Sequence, residues 1–308
     1  MQYIAGTREF QIDEPTVVSI GKFDGLHRGH RKLLKEMLHW KEQGFKVAIF
    51  TFSTPPGTLV KKKKQTVIMT NRERQQLLEQ AGVDYLVEYP FDEDVCRMDP
   101  EQFVAGILTG KMNAEVIVTG PDCHFGYQAA GDRELLERLA PRYGYRFFVV
   151  DKERDGDRII SSTYIREMLA EGNVEKANSL LGYPYFVSGT VCHGNSIGHS
   201  RLYPTANVIP ETEKHLPRYG VYAARVILDG ISYAGITNVG EKPTIEGKNP
   251  VGVETYLFDF TEDIYGKPIR VEFETFIRPE KKFSSISDLK GQLSRDIETV
   301  RTYFEKGK

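Results

Sequence analysis

From residue 16 to about 150, short apolar runs rich in β-branched residues alternate with segments of helical period. Thr16–Ile20 gives way to a stretch whose apolar positions Leu33, Leu34, Met37 and Leu38 recur every three or four residues, and then to a second run, Lys46–Phe52. A period of 2 that changes to 3.6 and back marks a βαβ unit. The same pattern predicts strands at 85–88, 115–119 and 145–150, with helices at 71–80, 100–108 and 133–140. A doubly wound parallel sheet with helices on both faces follows. Residues 162–181 are helical in period through Ile165, Met168, Leu169, Val174, Ala177, Leu180 and Leu181. After Gly182 the texture changes, and Pro184 is read as opening a second domain, so that residues 1–183 and 184–308 form separate parts. From 185 to 277 strand-like runs such as 221–228, 253–260 and 270–277 are punctuated by Gly, Pro and Asn. Closely spaced strands of this kind predict a small antiparallel β-barrel. A terminal helix, with Leu289, Leu293, Ile297, Val300 and Phe304 on one face, closes the chain.

Composition narrows the class without changing this outline. The 308 residues are 40% hydrophobic and 27% charged, which excludes disordered and fibrous chains. The net charge is −2, split as 25 basic against 27 acidic residues up to residue 183 and 16 against 16 beyond it. Neither part carries the basic excess of a nucleic-acid binder. The three cysteines, Cys96, Cys123 and Cys192, lie far apart with no CxxC pair, so neither a disulfide framework nor a thiolate zinc site is expected. The start has no basic segment leading into an apolar one, and no apolar run approaches the ~20 residues of a membrane span. A cytoplasmic protein with no membrane partner is expected, and the sequence assigns no oligomeric state.

Candidate chemistry concentrates in two places. Gly21-Lys22-Phe23-Asp24-Gly25-Leu26-His27-Arg28-Gly29-His30 directly follows the first strand and runs into the first helix. That junction is where α/β sheets bind phosphates, because freed N–H groups and the helix dipole face the anion. Gly21, Gly25 and Gly29 permit sharp turns and close approach of a polyphosphate, and His27 and His30 are spaced to reach the same oxygens. Either the histidines donate to charge building at an α-phosphate or they merely cap the helix. Ser161-Ser162-Thr163-Tyr164-Ile165-Arg166 opens a later helix, with hydroxyls at its N-terminus and an arginine fork one turn in; a bare capping run is the alternative.

In the second part Gly189, Gly194 and Gly198, read as lying on a barrel loop, can lay N–H groups along a phosphate chain. Thr205 and Asn207, in Pro204-Thr205-Ala206-Asn207, offer neutral oxygen ligands of the kind magnesium accepts beside ATP phosphates, or form a plain turn. Asn238-Val239-Gly240-Glu241-Lys242-Pro243-Thr244 precedes a strand in which Glu254 sits amid apolar neighbours. That carboxylate is either a partly desolvated general base for a primary alcohol or an edge-strand glutamate facing water.

Taken together these motifs resemble the prokaryotic bifunctional FAD synthetases, which combine riboflavin kinase with FMN adenylyltransferase, from about residue 16 to the C-terminus. The resemblance implies a nucleotidyltransferase domain followed by a kinase barrel, with riboflavin, FMN and ATP as substrates, FMN and FAD as products, and Mg2+ for both steps. It implies that His27, His30, Ser162, Thr163 and Arg166 contact ATP phosphates, with Phe23 in the same loop and Asp24 near the ATP and metal. Asp122 and Phe125, in Gly120-Pro121-Asp122-Cys123-His124-Phe125-Gly126, fall at the isoalloxazine by the same resemblance. Thr205 and Asn207 would hold magnesium-ATP, and Glu254 would activate the ribityl 5′-hydroxyl. The chain departs from the family pattern at Pro55, Cys123, His199 and Leu202. Two rival readings are a cytidylyltransferase with an accessory barrel and a flavin- or nucleotide-binding homologue with impaired catalysis.

Overall fold

The computed structural model describes residues 1–53, 66–192, 205–241 and 251–306. The chain forms two compact units, Met1–Ser162 and Thr163–Lys308.

The first unit is built on a six-stranded, wholly parallel sheet. Its strands are β1 (Gln2–Ala5), β2 (Thr16–Ile20), β3 (Lys46–Phe52), β4 (Tyr85–Tyr89), β5 (Ala114–Thr119) and β6 (Arg146–Val149), in the order β1-β4-β3-β2-β5-β6. In β3, Val47, Ala48, Ile49 and Phe50 are all fully buried, the continuous apolar run of a parallel strand covered on both faces. The helix Arg28–Lys41 buries Leu33, Leu34, Met37 and Trp40. After β4 the winding returns to the far side of β2, so the crevice beyond the carboxyl ends of β2 and β5 is the switch point where α/β sheets bind ligands. A short hairpin, β7 (Arg154–Asp155) with β8 (Arg158–Ile159), follows the last parallel strand.

Three differences from the sequence pattern have local causes. β1 is only four residues long, mostly exposed and at the sheet edge, too short to show a period; parallel pairing to β4 and the Gln2 N–H on the Asp84 carbonyl (2.7 Å) hold it. The helix expected at 100–108 begins as Pro100–Gln102 and widens into π turns over Phe103–Lys111, where the Thr109 hydroxyl donates to the carbonyls of Val104 and Ala105. The helical stretch 162–181 breaks into Ser162–Glu171 and Val174–Leu181 at Gly172 (φ +84°), a left-handed residue that ends the first helix.

The second unit is an antiparallel six-stranded barrel of β9 (Phe186–Thr190), β10 (Ala206–Val208), β11 (Gly220–Leu228), β12 (Ile231–Glu241), β13 (Val251–Leu257) and β14 (Pro268–Pro279), ordered β10-β13-β12-β11-β14-β9. The Cys192–Asn207 bridge brings its two ends together, leaving the barrel nearly closed. Val221 and Ala223 of β11, Ile236 of β12 and Phe258 just after β13 cluster with Ile297, Val300 and Phe304 of the terminal helix Ile286–Lys306. Arg278 clasps the buried Asp296 through Nε and Nη2 at 2.7–3.1 Å, fixing that helix to β14.

The compact units part after Ser162, about twenty residues before the change of texture at Pro184, and the reason is packing. The Asn178 amide donates to the Phe273 carbonyl (2.8 Å) and accepts from the Tyr185 N–H (2.6 Å), while Arg218 N–H donates to the Leu169 carbonyl (2.8 Å). Leu169, Leu180 and Leu181 are completely buried. A fragment starting at 184 loses these leucines, each worth about 2 kcal/mol of burial, and the amide clasp. The fragment 163–308 is therefore expected to unfold at a higher urea midpoint than 184–308; equal midpoints would show that the two helices are not part of the barrel's folding unit.

Candidate functional site

At the end of β2 the backbone makes a turn that few residues tolerate. Gly25 lies at φ +84°, and Phe23 and Leu26 are left-handed at +49° and +34°. Side chains oppose such angles, so surrounding contacts must impose them. Phe23 and Leu26 are each 1% exposed and act as anchors. Asp24 Oδ1 accepts the N–H groups of Ile68 (2.8 Å) and Met69 (3.3 Å), and the Ser162 hydroxyl donates to the Asp24 carbonyl (2.8 Å). Asp24 is thus a loop clasp, held at its side chain by Ile68 and Met69 and at its carbonyl by the Ser162 hydroxyl. Gly21 lies against the Phe23 ring, its N–H on the Phe50 carbonyl.

The turn delivers His27 as the N-cap of the first helix, where its Nδ1 accepts the His30 N–H at 3.4 Å. The capping alternative is therefore real, and it has a chemical consequence: with Nδ1 accepting, the proton of the neutral ring resides on Nε2. His30 stacks on His27 with centroids 3.8 Å apart and lies 5.0 Å from the Phe23 ring. A Cβ on Gly29 would sit 3.2 Å from the His27 ring, so glycine there makes room for the stack. Burial holds His27 down to about 4, and burial together with His27 holds His30 well below the usual histidine value. Both rings are neutral hydrogen-bonding groups at pH 7. His30 Nδ1 is buried with no hydrogen-bond partner among the described residues. Arg28, passed over in the sequence, extends to Glu153 (2.7 Å) beside this N-terminus.

Of the other residues singled out, Arg166 Nη2 reaches the Thr163 hydroxyl at 3.5 Å within their shared helix turn. Asp122 is exposed and paired with Lys152 (2.6 Å). Phe125 is a core residue at 5% exposure, 5.5 Å from Phe103, so its ring supports the 120–126 loop from beneath. Its neighbour Cys123 is half-buried, which pushes its thiol up to about 12.

In the barrel, Asn207, Glu254 and Asn238 are register partners on β10, β13 and β12, so they form one row on one face of the sheet. β13 is paired on both sides, and Glu254 is half-buried rather than an edge residue facing water. The Thr205 hydroxyl donates to Glu254 Oε1 at 2.6 Å, and the Asn207 amide donates to the Thr205 carbonyl (3.2 Å) and hydroxyl (3.4 Å). A cleft of about 240 Å³ opens beside Thr205, bordered by Leu257, Phe260 and Tyr265. It is smaller than the ~300 Å³ at which whole-ligand sites begin, so it suits part of a ligand. Asn238 was a missed member of the row, although the run Asn238-Val239-Gly240 carried its signal.

One placement is corrected. Gly189 lies inside β9, not on a loop, and a side chain there would collide with Val208 Cγ1; its role is barrel closure. Gly194 and Gly198, like Pro55, His199 and Leu202, lie outside the described residues. Thr205, Asn207 and Glu254 are oxygen donors of the hard type that magnesium prefers, so the donor set fits that ion. Among the described residues no cluster of three or more His, Cys, Asp or Glu could hold a metal.

The fold and these two sites define a nucleotide-handling α/β unit joined to a small barrel with its own polar site. Residues 9–164 match the family model described as FAD synthetase, and residues 181–304 match that described as riboflavin kinase. A bifunctional riboflavin kinase/FMN adenylyltransferase of Escherichia coli K12 is 35% identical over 297 residues, covering 94% of this chain and 93% of its own. One from Bacillus subtilis 168 is 34% identical, covering 94% and 92%. The chain belongs to this bifunctional family. A crystal structure titled as a macrolide-efflux protein of Streptococcus pneumoniae has a TM-score of 0.85 and 30% identity, covering 97% of this chain and 98% of that one. Efflux is a description of that protein; no described helix here is long and apolar enough to cross a membrane.

His27 binds its proton less readily in the folded chain than at the ordinary value of 6.5. The stability tied to its neutral form is present above pH 6.5 and is lost as pH falls toward about 4. An NMR titration of its ring protons is expected to show a midpoint near 4, and a midpoint near 6.5 would contradict the buried stack.

Proposed function

We propose that this chain carries both activities of its family: it phosphorylates riboflavin with ATP to give FMN and ADP, then adenylylates FMN with a second ATP to give FAD and pyrophosphate. The observation that carries the kinase reading is the half-buried Glu254 carboxylate, gripped by the Thr205 hydroxyl at 2.6 Å in a row with Asn207 and Asn238. A carboxylate held in that way is poised to take the proton of a primary alcohol as the alcohol attacks a γ-phosphate. Thr205 and Asn207 supply oxygens to magnesium-ATP, and the adjoining cleft takes part of the nucleotide. Magnesium, when bound, neutralises phosphate charge. Catalysis is then positioning and charge stabilisation rather than covalent chemistry.

For adenylyl transfer, His27 Nε2–H and His30 donate to the α-phosphate as pyrophosphate departs, at a helix N-terminus that itself favours anions. Ser162, Thr163 and Arg166 bind phosphate oxygens, and Asp24 holds the loop. The 120–126 loop takes the flavin side, with Asp122 exposed at its surface. We place adenylylation in residues 1–183 and the kinase in 184–308, and the protein in the cytoplasm.

Two substitutions in the full chain separate the activities. His30→Ala is expected to slow FAD formation from FMN by about a hundredfold while riboflavin phosphorylation continues. An equal drop in both would point to misfolding. Glu254→Gln keeps the side chain's size and an acceptor but cannot take the hydroxyl proton. Kinase turnover should fall about 10²- to 10⁴-fold with FAD formation from supplied FMN intact. Near-normal kinase turnover in this variant would mean that another group accepts the proton.

A further inference from the structure

The adenylylation loop is gripped from one side by a single stretch of chain. Ile68 and Met69 hold Asp24 through their N–H groups, Thr70 caps the helix Asn71–Gln80 in a capping box with Glu73, and one turn into that helix Arg74 Nη1 donates to the Lys22 carbonyl at 3.4 Å. Residues 68–74 therefore hold Lys22 and Asp24, the two neighbours of Phe23, whose left-handed φ of +49° needs such support.

Arg74 is itself held. Its Nη2 donates to Glu88 Oε2 (2.8 Å) and Asn71 Oδ1 (3.1 Å), and Glu88 accepts further from Asn71 Nδ2 (3.2 Å) and the Tyr3 hydroxyl (3.1 Å). The side chains of the pair are only 12% and 6% exposed. Desolvation makes a buried ion pair a poor source of stability, since well-packed apolar residues often do as well. What it supplies is direction: a planar fork joins the end of β4 and the edge strand β1 to one carbonyl of the loop.

We propose that the Arg74–Glu88 pair is a positioning device for adenylyl transfer, setting the backbone of residues 21–27 and acting through it on His27 and His30. The pair matters because the histidines are useful only where the transferring phosphate develops its charge, and a displacement of about 1 Å can cost on the order of a hundredfold in rate. The proposal rests on the assignment of adenylyl transfer to this loop.

The test uses the full chain with both charges removed together, R74M/E88Q, so that no unpaired buried charge remains. The expected result is an unfolding midpoint close to that of the unaltered chain, unchanged riboflavin phosphorylation, and a kcat for FMN adenylylation at least about tenfold lower. KM for ATP should move much less than kcat, since misplaced donors lose the transition state before they lose the ground state. A folded double variant whose kcat stays within about twofold overturns the proposal, because a merely structural pair predicts a lowered midpoint or no effect. R74K is the second variant: it keeps the charge opposite Glu88 but lacks the fork that also reaches Lys22 and Asn71. It should lose several-fold in kcat at an unchanged midpoint, and full kcat there overturns the proposal even if the double variant fails to fold. His30→Ala separates the two levels. If it leaves adenylylation intact, the loop assignment fails; if it abolishes adenylylation while R74M/E88Q does not, only the positioning role fails.

Discussion

The first unit depends on holding a left-handed turn at the carboxyl end of its central strand. Phe23, Gly25 and Leu26 all take positive φ there, and two of the three bear side chains that oppose it. The turn persists because both side chains are sunk in the core and because Asp24 is hydrogen-bonded from the 68–69 segment and from Ser162. Its product is a helix N-terminus aimed into the switch-point crevice with an imidazole as its cap. The strained turn and the His27–His30 stack thus lie within one short segment of chain.

The barrel solves a different problem by register. A carboxylate with the role of base proposed for Glu254 must lie near a donor that orients it. Antiparallel pairing places Asn207, Glu254 and Asn238 side by side, and Thr205, two residues before Asn207, turns its hydroxyl onto the glutamate. Shifting β10 by one residue would move Asn207 to the opposite face and break the row. The contacts of Gly189 with Val208 and of Cys192 with Asn207, which bring β9 against β10, thereby also guard the site.

What could be read in the sequence follows from how local each feature is. The ten-residue run ending in His30 is contiguous, so strand, turn and cap all lie in one window, and the structure places them as the pattern indicates. Thr205 and Glu254 are 49 residues apart; resemblance to a family gave each a role, but their hydrogen bond has no trace in the sequence. Local windows misled at Gly189, where a glycine suited to a loop proved to be a packing glycine inside a strand. Phe125, put at the flavin by the resemblance, is buried 5.5 Å from Phe103, and its backbone bridges to Gly131, none of which its motif indicates. Glu88 gave the least warning, since a charge in the apolar run Tyr85–Tyr89 acquires meaning only with Arg74 in place.

The neutrality of the two histidines constrains the part proposed for them in adenylyl transfer. Two imidazolium rings 3.8 Å apart would repel by about 4 kcal/mol even at an effective dielectric near 20. Burial opposes protonation further, so the stack cannot serve as a doubly cationic clamp. That outcome suits the chemistry. A cationic pair would bind the triphosphate of the ground state about as firmly as the transition state, which lowers KM without raising turnover. Fixed neutral N–H groups are weak ligands for a resting phosphate ester and gain most as negative charge grows on the transferring group. In the proposed reaction the charge of the resting triphosphate falls to the helix N-terminus, and the stacked imidazoles act on the charge that appears only as the phosphate transfers.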